Sequence, residues 1–232
     1  MYKRQLLETA TLERDDGNHA MMQAVAGTRG VFPTYVPAEQ RRYNVFALHT
    51  GVKALEVMQV ATGKLDYSAL LSDVAACAEA NALIVACVVD NPGRKFIILS
   101  RLVAHAKALS AALVAAGVTS DTMVGNAKSH RDVRALVGTA PKIGTGYDLA
   151  TFCRDFGGTA ADTLILTHSV KKWQQFEQFR GRVMRAAADT TPAVISMISD
   201  NGIITRHFGG LKAWIKKTGG VVTVCRAAPV IG

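Results

Sequence analysis

Short aliphatic runs alternate with helical patterns from residue 91 onward. Phe96–Leu99 is a continuous apolar run of the kind found in a strand buried on both faces. The alanine- and leucine-rich stretch Leu102–Ala116, closed by Gly117, predicts the next helix. Similar runs predict strands at 122–124, 135–137, 163–166, 193–198 and 221–224, and helices at 173–188 and 211–217. This alternation predicts an α/β fold, with a parallel sheet covered by helices on both faces.

The N-terminal part of the chain has a different pattern. Residues 27–37 contain two glycines and two prolines, which favours an arm or connector over the centre of a sheet. Residues 67–89 then carry apolar side chains at helical spacing, so one helix or two in succession is predicted there. We therefore divide the chain into an irregular or helical N-terminal arm over residues 1–63 and an α/β domain over residues 64–232.

Composition narrows the class of protein. Of the 232 residues, 49% are hydrophobic and 19% are charged, which excludes a disordered chain. The longest apolar stretches, such as residues 82–89, are too short to cross a bilayer, and no secretion signal opens the chain. The four cysteines form no C-x-x-C pair, so no metal site is expected. We expect a soluble intracellular protein that has no membrane partner.

The net charge of +9 points to a polyanionic partner without identifying it. The strongest local signal is the Q-x-x-G-R-x-x-R pattern at residues 178–185. If the predicted helix runs through it, Gln178, Arg182 and Arg185 share one helix face, where guanidinium groups match phosphate oxygens. Gly181 would let another backbone come close beside them. From spacing alone, a solvated basic helix face explains the same residues.

Two weaker signals follow predicted strands. Residues 138–148 hold three glycines, which can expose backbone N–H groups to an anion, and end at Asp148, which could accept a hydrogen bond from a sugar hydroxyl. Ser100 and Arg101 end the first buried strand. Because ligands of an open parallel sheet bind beyond the carboxyl ends of its strands, both groups are candidates for a site. Taken singly, each is equally an ordinary turn or polar strand exit.

The order of these signals is more specific than any one of them. The order along the chain is strand-Ser-Arg-helix, a strand, strand-Gly-Thr…Gly-x-Asp, a strand and then Q-x-x-G-R-x-x-R. This order resembles the second motor lobe of superfamily 2 helicases, with motifs IV, V and VI in sequence. Residues 142–148, 151–156 and 162–166 are similar to helicases of large DNA viruses, including the poxvirus transcript-release type. The resemblance covers roughly Tyr67 to the C-terminus. It implies a RecA-like lobe of a viral protein acting in the infected host cell or carried in the virion.

The resemblance also implies roles for individual residues. Arg182 and Arg185 would supply the arginine finger and its neighbour to ATP, with Gln178 beside the γ-phosphate. Gly146 and Asp148 would line the ribose side of the nucleotide. The expected partner is a single strand of DNA or RNA. The residues expected to contact its phosphates are Ser100, Arg101, Gly125 and Thr139.

One departure limits this assignment. No G-x-x-x-x-G-K-[ST] loop and no acidic D-E-x-H or D-E-x-D run occurs in the sequence. ATP and Mg²⁺ would then be held mainly by a first lobe, on the same native chain or a separate one, and this chain alone is expected not to hydrolyse ATP. The proline that common helicases place shortly after the motif V aspartate is also missing here. Two alternatives remain: a non-catalytic nucleic-acid-binding or protein-assembly factor that retains the lobe fold, and an unrelated nucleotide-binding enzyme with a doubly wound sheet.

Overall fold

In a computed structural model, seven parallel strands form one sheet with helices on both faces. The structure describes residues 42–59, 61–143, 147–187 and 189–232. The strands are β1 (Tyr43–Lys53), β2 (Phe96–Ser100), β3 (Ser120–Met123), β4 (Ala135–Thr139), β5 (Thr163–Leu166), β6 (Ala193–Asp200) and β7 (Gly220–Cys225). The helices are α1 (Tyr67–Ala76), α2 (Ala78–Val89), α3 (Val103–Ala115), α4 (Ala140–Ile143), α5 (Leu149–Phe152), α6 (Trp173–Arg180) and α7 (Gly202–Lys217). The strand order is β3-β4-β2-β5-β6-β1-β7, which confirms the predicted fold class.

Alternating side chains along the central strands build two apolar layers. On β2, Ile97 and Leu99 enter one cluster, which includes α6 and α7, while Phe96 and Ile98 enter the other, which includes α2 and α3. All five residues of β2 are buried. Burying both faces is the usual arrangement of an all-parallel sheet, because crossover helices cover each side. The continuous apolar runs in the sequence are the direct trace of this two-sided burial.

The predicted strands all lie in the sheet, with their ends moved by one or two residues. The region 67–89 forms two helices, which bend by 62° at Cys77. The last helix begins at Gly202, well before the predicted start at 211, because Asn201 caps its N-terminus by accepting from two backbone N–H groups. Apolar residues at positions 204, 208, 211 and 215 bury one face of this helix, and this burial outweighs the low helix propensity of Gly209 and Gly210.

The N-terminal division needs a correction. Residues 43–53 were assigned to the arm, but they form β1, which pairs in parallel with β6 on one side and β7 on the other. The compact unit that contains the sheet begins at Arg41. Tyr43, Val45 and Ala47 face one apolar cluster and Leu48 the other, so this segment is a buried strand that the preceding glycines and prolines concealed. The rest of the proposed arm, up to residue 41, lies outside the described residues.

Among the residues that the structure describes, no single helix is long and apolar enough to span a bilayer. The bent pair α1 and α2 meets the length and composition criteria only when the two helices are taken together.

Candidate functional site

The ends of β2 and β4 place two of the predicted phosphate contacts side by side. Ser100 and Thr139 are register partners on adjacent strands, and both are buried. The Ser100 hydroxyl lies 3.0 Å from His105 Nδ1 and accepts a hydrogen bond from the Leu102 backbone N–H at 3.1 Å. Ser100 therefore fixes the start of α3 from inside the protein, and its hydroxyl does not face solvent.

The other two members of this predicted set are open to solvent. Arg101 is exposed directly after β2, and Gly125 is exposed two residues beyond β3 with a φ of 54°. That backbone conformation favours glycine because a Cβ would be strained there. We call Ser100, Arg101, Gly125 and Thr139 the strand-end group. Its exposed surface comes from Arg101 and Gly125, while the two hydroxyl residues are part of the sheet.

Two buried histidines lie behind the strand-end group. His105 Nε2 is 2.8 Å from Asn81 Oδ1, so the imidazole links α2, α3 and the end of β2. Burial lowers the pKa of His105 to about 4. Burial, followed by the Arg101 charge, lowers the pKa of His168 to about 4. Both imidazoles are neutral near pH 7.

The arginine pattern does not lie on a single helix face, which corrects the sequence prediction. Helix α6 ends at Arg180, and Gly181 is its C-cap. Beyond it the backbone tightens into i→i−3 bonds, from Arg182 N–H to Phe179 and from Val183 N–H to Arg180. Buried Val183 draws the chain onto the core at this point. We call residues 181–187 the arginine segment.

Tertiary contacts bring the glycine-rich segment and the arginine segment together. Arg182 Nη1 donates to the Tyr147 backbone carbonyl at 2.5 Å, and Arg185 Nη1 lies 3.6 Å from Asp148 Oδ1. Tyr147 thus contacts Arg182, and the adjacent Asp148 contacts Arg185. Arg182 is half-buried, and burial together with the neighbouring Arg185 charge lowers its pKa, although a guanidinium stays protonated near neutral pH. The Arg185 side chain is 76% exposed.

The remaining predicted residues have less defined positions. Gln178 is half-buried on α6. Gly181 is exposed, and the nearest atoms to a Cβ built there are the Glu177 and Gln178 carbonyl oxygens of its own helix, so it does not admit another backbone as predicted. Asp148 also accepts from the Thr151 hydroxyl at 2.9 Å. Gly146 lies outside the described residues.

Sequence reasoning missed the side chains that hold Tyr147. His130 belongs to none of the sequence signals described above, yet its Nε2 lies 2.6 Å from the Tyr147 hydroxyl. Phe152 stacks on the Tyr147 ring with centroids 5.6 Å apart and an interplanar angle of 14°. Both lie within about twenty residues of Tyr147 in the chain, but no spacing rule connects them. The only signal was the aromatic and imidazole content of the two loops.

Arg180, by contrast, packs against aromatic rings of β1 and α7. Its guanidinium lies over the Tyr43 ring, 4.6 Å from the centroid, and over Trp214 at 5.4 Å. These cation–π contacts attach the end of α6 to β1 and α7. They engage the guanidinium of Arg180, which stands at a variable position of the pattern between Gln178 and Gly181.

Comparison with known proteins gives sequence relatives and structural neighbours. No protein-family model matches the chain. It is 28% identical to the "Putative helicase 161L" of Invertebrate iridescent virus 6 over 92% of this chain and 49% of the relative. It is 29% identical to the "Putative helicase 055L" of Frog virus 3 over 86% of this chain and 43% of the relative. The chain thus spans about half the length of these curated relatives.

Two solved structures share the fold. T4 UvsW matches with a TM-score of 0.56 and 12% identity, over 82% of this chain and 42% of that one. The L327V variant of S. cerevisiae Dbp5, bound to RNA and ADP BeF3, matches with a TM-score of 0.55 and 11% identity, over 91% of this chain and 49% of that one. At such identities the likeness concerns the fold alone. The chain is homologous to viral proteins named as helicases, and it shares the RecA-like fold of these solved structures.

Proposed function

We propose that this chain is the second motor lobe of an ATP-dependent nucleic-acid helicase or translocase. In this proposal Arg182 and Arg185 reach the triphosphate of ATP bound by a first lobe, with Gln178 beside the γ-phosphate and Gly146 and Asp148 on the ribose side. The strand-end group faces a DNA or RNA strand. The activity would take place in the infected cell, a proposal that the homology to viral proteins named as helicases supports.

The observation that carries the proposal is the joint attachment of both arginines to Tyr147 and Asp148. Two segments more than thirty residues apart in the chain meet there and concentrate two guanidinium groups. A guanidinium positioned against a transferring phosphoryl group stabilises the charge that develops on its oxygens. The contact between the two segments therefore supports a phosphate-directed role over a merely solvated basic face.

The described residues fit the nucleotide through charge. Guanidinium forks match phosphate oxygens, and Asp148 can accept a hydrogen bond from a hydroxyl. When bound, ATP supplies the phosphoryl group and Mg²⁺ neutralises its oxygens. This chain would orient the γ-phosphate end, while the first lobe would hold Mg²⁺. The absence of a phosphate-loop pattern from the sequence supports this division of labour.

The nucleic-acid part of the proposal rests on Arg101 and Gly125. An exposed arginine and an exposed backbone turn can contact phosphates without reading bases. Ser100 and Thr139 would act there through the backbone positions that they fix, since both side chains are buried. The alternative, an assembly factor without catalysis, predicts that Arg182 and Arg185 have no effect on turnover in any two-lobe protein.

The test has a binding arm and a turnover arm. Binding of the chain to fluorescent single-stranded DNA and RNA is measured against salt concentration. Arg101→Ala is expected to reduce the slope of log affinity against log salt by about 0.7, the value for one lost contact to a single strand. Lys107→Ala is the matched control because it removes an exposed positive charge from the outer face of α3. Equal slopes for the two variants contradict the proposed interface.

Turnover is followed with the chain alone and with the chain joined to a lobe that carries a phosphate loop. The chain alone is expected to be inactive. In the two-lobe protein, Arg182→Ala is expected to lower kcat by about 10³–10⁵, the contribution of an arginine finger. Hydrolysis by the chain alone that Arg182→Ala abolishes would contradict the division between lobes, and an unchanged kcat would reject the arginine finger.

A further inference from the structure

Tyr147 combines an unusually constrained side chain with a backbone carbonyl that binds Arg182. Its side chain is buried and has three neighbours: the His130 imidazole, the Phe152 ring and the apolar cluster around α6. The carbonyl of the same residue accepts from Arg182 Nη1. Whatever fixes the Tyr147 side chain therefore also fixes the hydrogen-bond acceptor of the proposed finger.

The direction of the His130–Tyr147 hydrogen bond follows from its other partner. His130 Nδ1 lies 2.7 Å from the Arg131 carbonyl oxygen, which can only accept, so Nδ1 carries the imidazole proton. In the neutral imidazole, Nε2 then accepts from the Tyr147 hydroxyl at 2.6 Å. His130 is itself held by two backbone bonds, from its N–H to the Phe152 carbonyl and from the Arg154 N–H to its own carbonyl. The imidazole is thus a fixed anchor for the phenol.

The nature of the acceptor on Tyr147 matters for Arg182. A backbone carbonyl is neutral, so this hydrogen bond orients the guanidinium without cancelling its charge. Arg185 differs, since its nearest acceptor is the carboxylate of Asp148. Arg182 is therefore hydrogen-bonded to a neutral carbonyl, whereas Arg185 lies beside a carboxylate.

We propose that Tyr147 is a positioning residue for Arg182, and that His130 and Phe152 lock the tyrosine so that its carbonyl presents the guanidinium in one orientation. The use of that orientation in phosphoryl transfer rests on the proposed function. The lock itself is a property of this chain alone. It fixes the finger before a nucleotide arrives, which lowers the reorganisation needed at the reacting centre.

The first experiment measures Arg182 directly and needs neither nucleotide nor a partner lobe. ¹⁵N NMR of the guanidinium groups gives the rate of rotation about the Nε–Cζ bond in the 232-residue chain, with exposed Arg101 as internal reference. Tyr147→Phe keeps the stacked ring and removes only the phenol hydrogen bond, so the rotation rate of Arg182 is expected to rise about tenfold. His130→Ala should have the same effect, whereas His130→Gln keeps an acceptor and should stay within about threefold of the parent.

Tyr67→Phe is the matched control. The Tyr67 hydroxyl makes a hydrogen bond of similar length, 2.8 Å to the Ser169 hydroxyl, with no part in the arginine segment. It should lower stability to a similar extent and leave Arg182 rotation unchanged. If Tyr147→Phe changes Arg182 no more than Tyr67→Phe does, the proposal is overturned.

A second measurement separates this proposal from the proposed function. In the two-lobe protein, Tyr147→Phe should lower kcat about tenfold while KM for ATP stays constant, because orientation and not binding is lost. If Arg182→Ala removes turnover and Tyr147→Phe leaves kcat intact, the positioning role is wrong. If Arg182→Ala itself leaves turnover intact, the proposed function fails. The NMR measurement of Arg182 rotation still tests the positioning role of Tyr147 independently.

Discussion

The strand-end group and the arginine segment both face phosphates in the proposed function, but they are held in place by different forces. Ser100 and Thr139 are register partners inside a parallel sheet whose central strands are buried on both faces. Arg182 and Arg185 follow the end of a helix, and each is attached to the rest of the protein by a contact to Tyr147 or Asp148.

This difference indicates where the protein can tolerate amino-acid substitutions. A strand end is positioned by the whole core, so its geometry resists single surface substitutions but fails when the packing below it changes. The arginine segment is held on the core by buried Val183, but its two arginine side chains depend on a few polar contacts, so single substitutions can loosen them without unfolding the protein. The predictions below use this contrast, from the largest expected effect to the smallest.

Acid should lower the free energy of unfolding through the two histidines behind the strand-end group. His105 and His168 titrate near pH 6.5 in the unfolded chain, whereas burial holds the pKa of each at about 4 in the folded protein. Between these values the unfolded chain binds more protons, so the free energy of unfolding should decrease as pH falls from 6.5 to 4. The expected slope is about 1.4 kcal/mol per pH unit for each histidine, measured by denaturant unfolding at several pH values.

His105→Gln should remove its share of this slope while lowering stability at pH 7 only through lost hydrogen bonds to Ser100 and Asn81. A variant that retains the full parental slope would show that His105 is not protonated on unfolding. The buried hydrogen bonds of His105 to Ser100 and Asn81 would then not distinguish the strand-end group from the arginine segment.

One chemical change at two glycines compares the regions directly. At Gly138 in β4, a Cβ would lie 2.7 Å from Ile143 Cγ1 and 2.9 Å from the Met123 carbonyl oxygen, and Ile143 is fully buried. Gly138→Ala is expected to lower the free energy of unfolding by about 1–3 kcal/mol, as overpacking does. Gly181→Ala should be neutral or stabilising by less than about 1 kcal/mol, since its φ of −53° suits any residue and alanine favours helix. Equal losses at both sites would contradict the contrast.

The smallest effect on stability is expected at Arg185. Its ion pair with Asp148 is exposed, and such pairs contribute less than about 1 kcal/mol. Arg185→Ala should therefore leave the denaturation midpoint nearly unchanged while turnover of the two-lobe protein falls. Asp148→Asn removes the opposite charge and tests whether the pair matters by itself. A large shift in the midpoint for Arg185→Ala would mean that this arginine is structural, as Arg180 is.

Much of the fold could be predicted because the central strands are uniformly apolar and short. Two-sided burial leaves no polar position in a run such as Phe96–Leu99, and the sequence records this plainly. Strand β1 was missed because the glycines and prolines before it suggested an arm, and only its pairing between β6 and β7 reveals its place. The end of α6 at Arg180 was missed because the pull of buried Val183 on the chain is a tertiary effect.

The fold class, the order of the motifs and the residue types that could serve phosphate chemistry can all be read from the sequence, because they depend on local periodicity and on side-chain chemistry. Which of those residues meet depends on tertiary packing. It buried the Ser100 hydroxyl, committed Arg180 to the rings of Tyr43 and Trp214, and attached Arg182 to a carbonyl locked by His130. Contacts of this kind join residues distant in the chain through the packing of the whole sheet, and no local pattern encodes them.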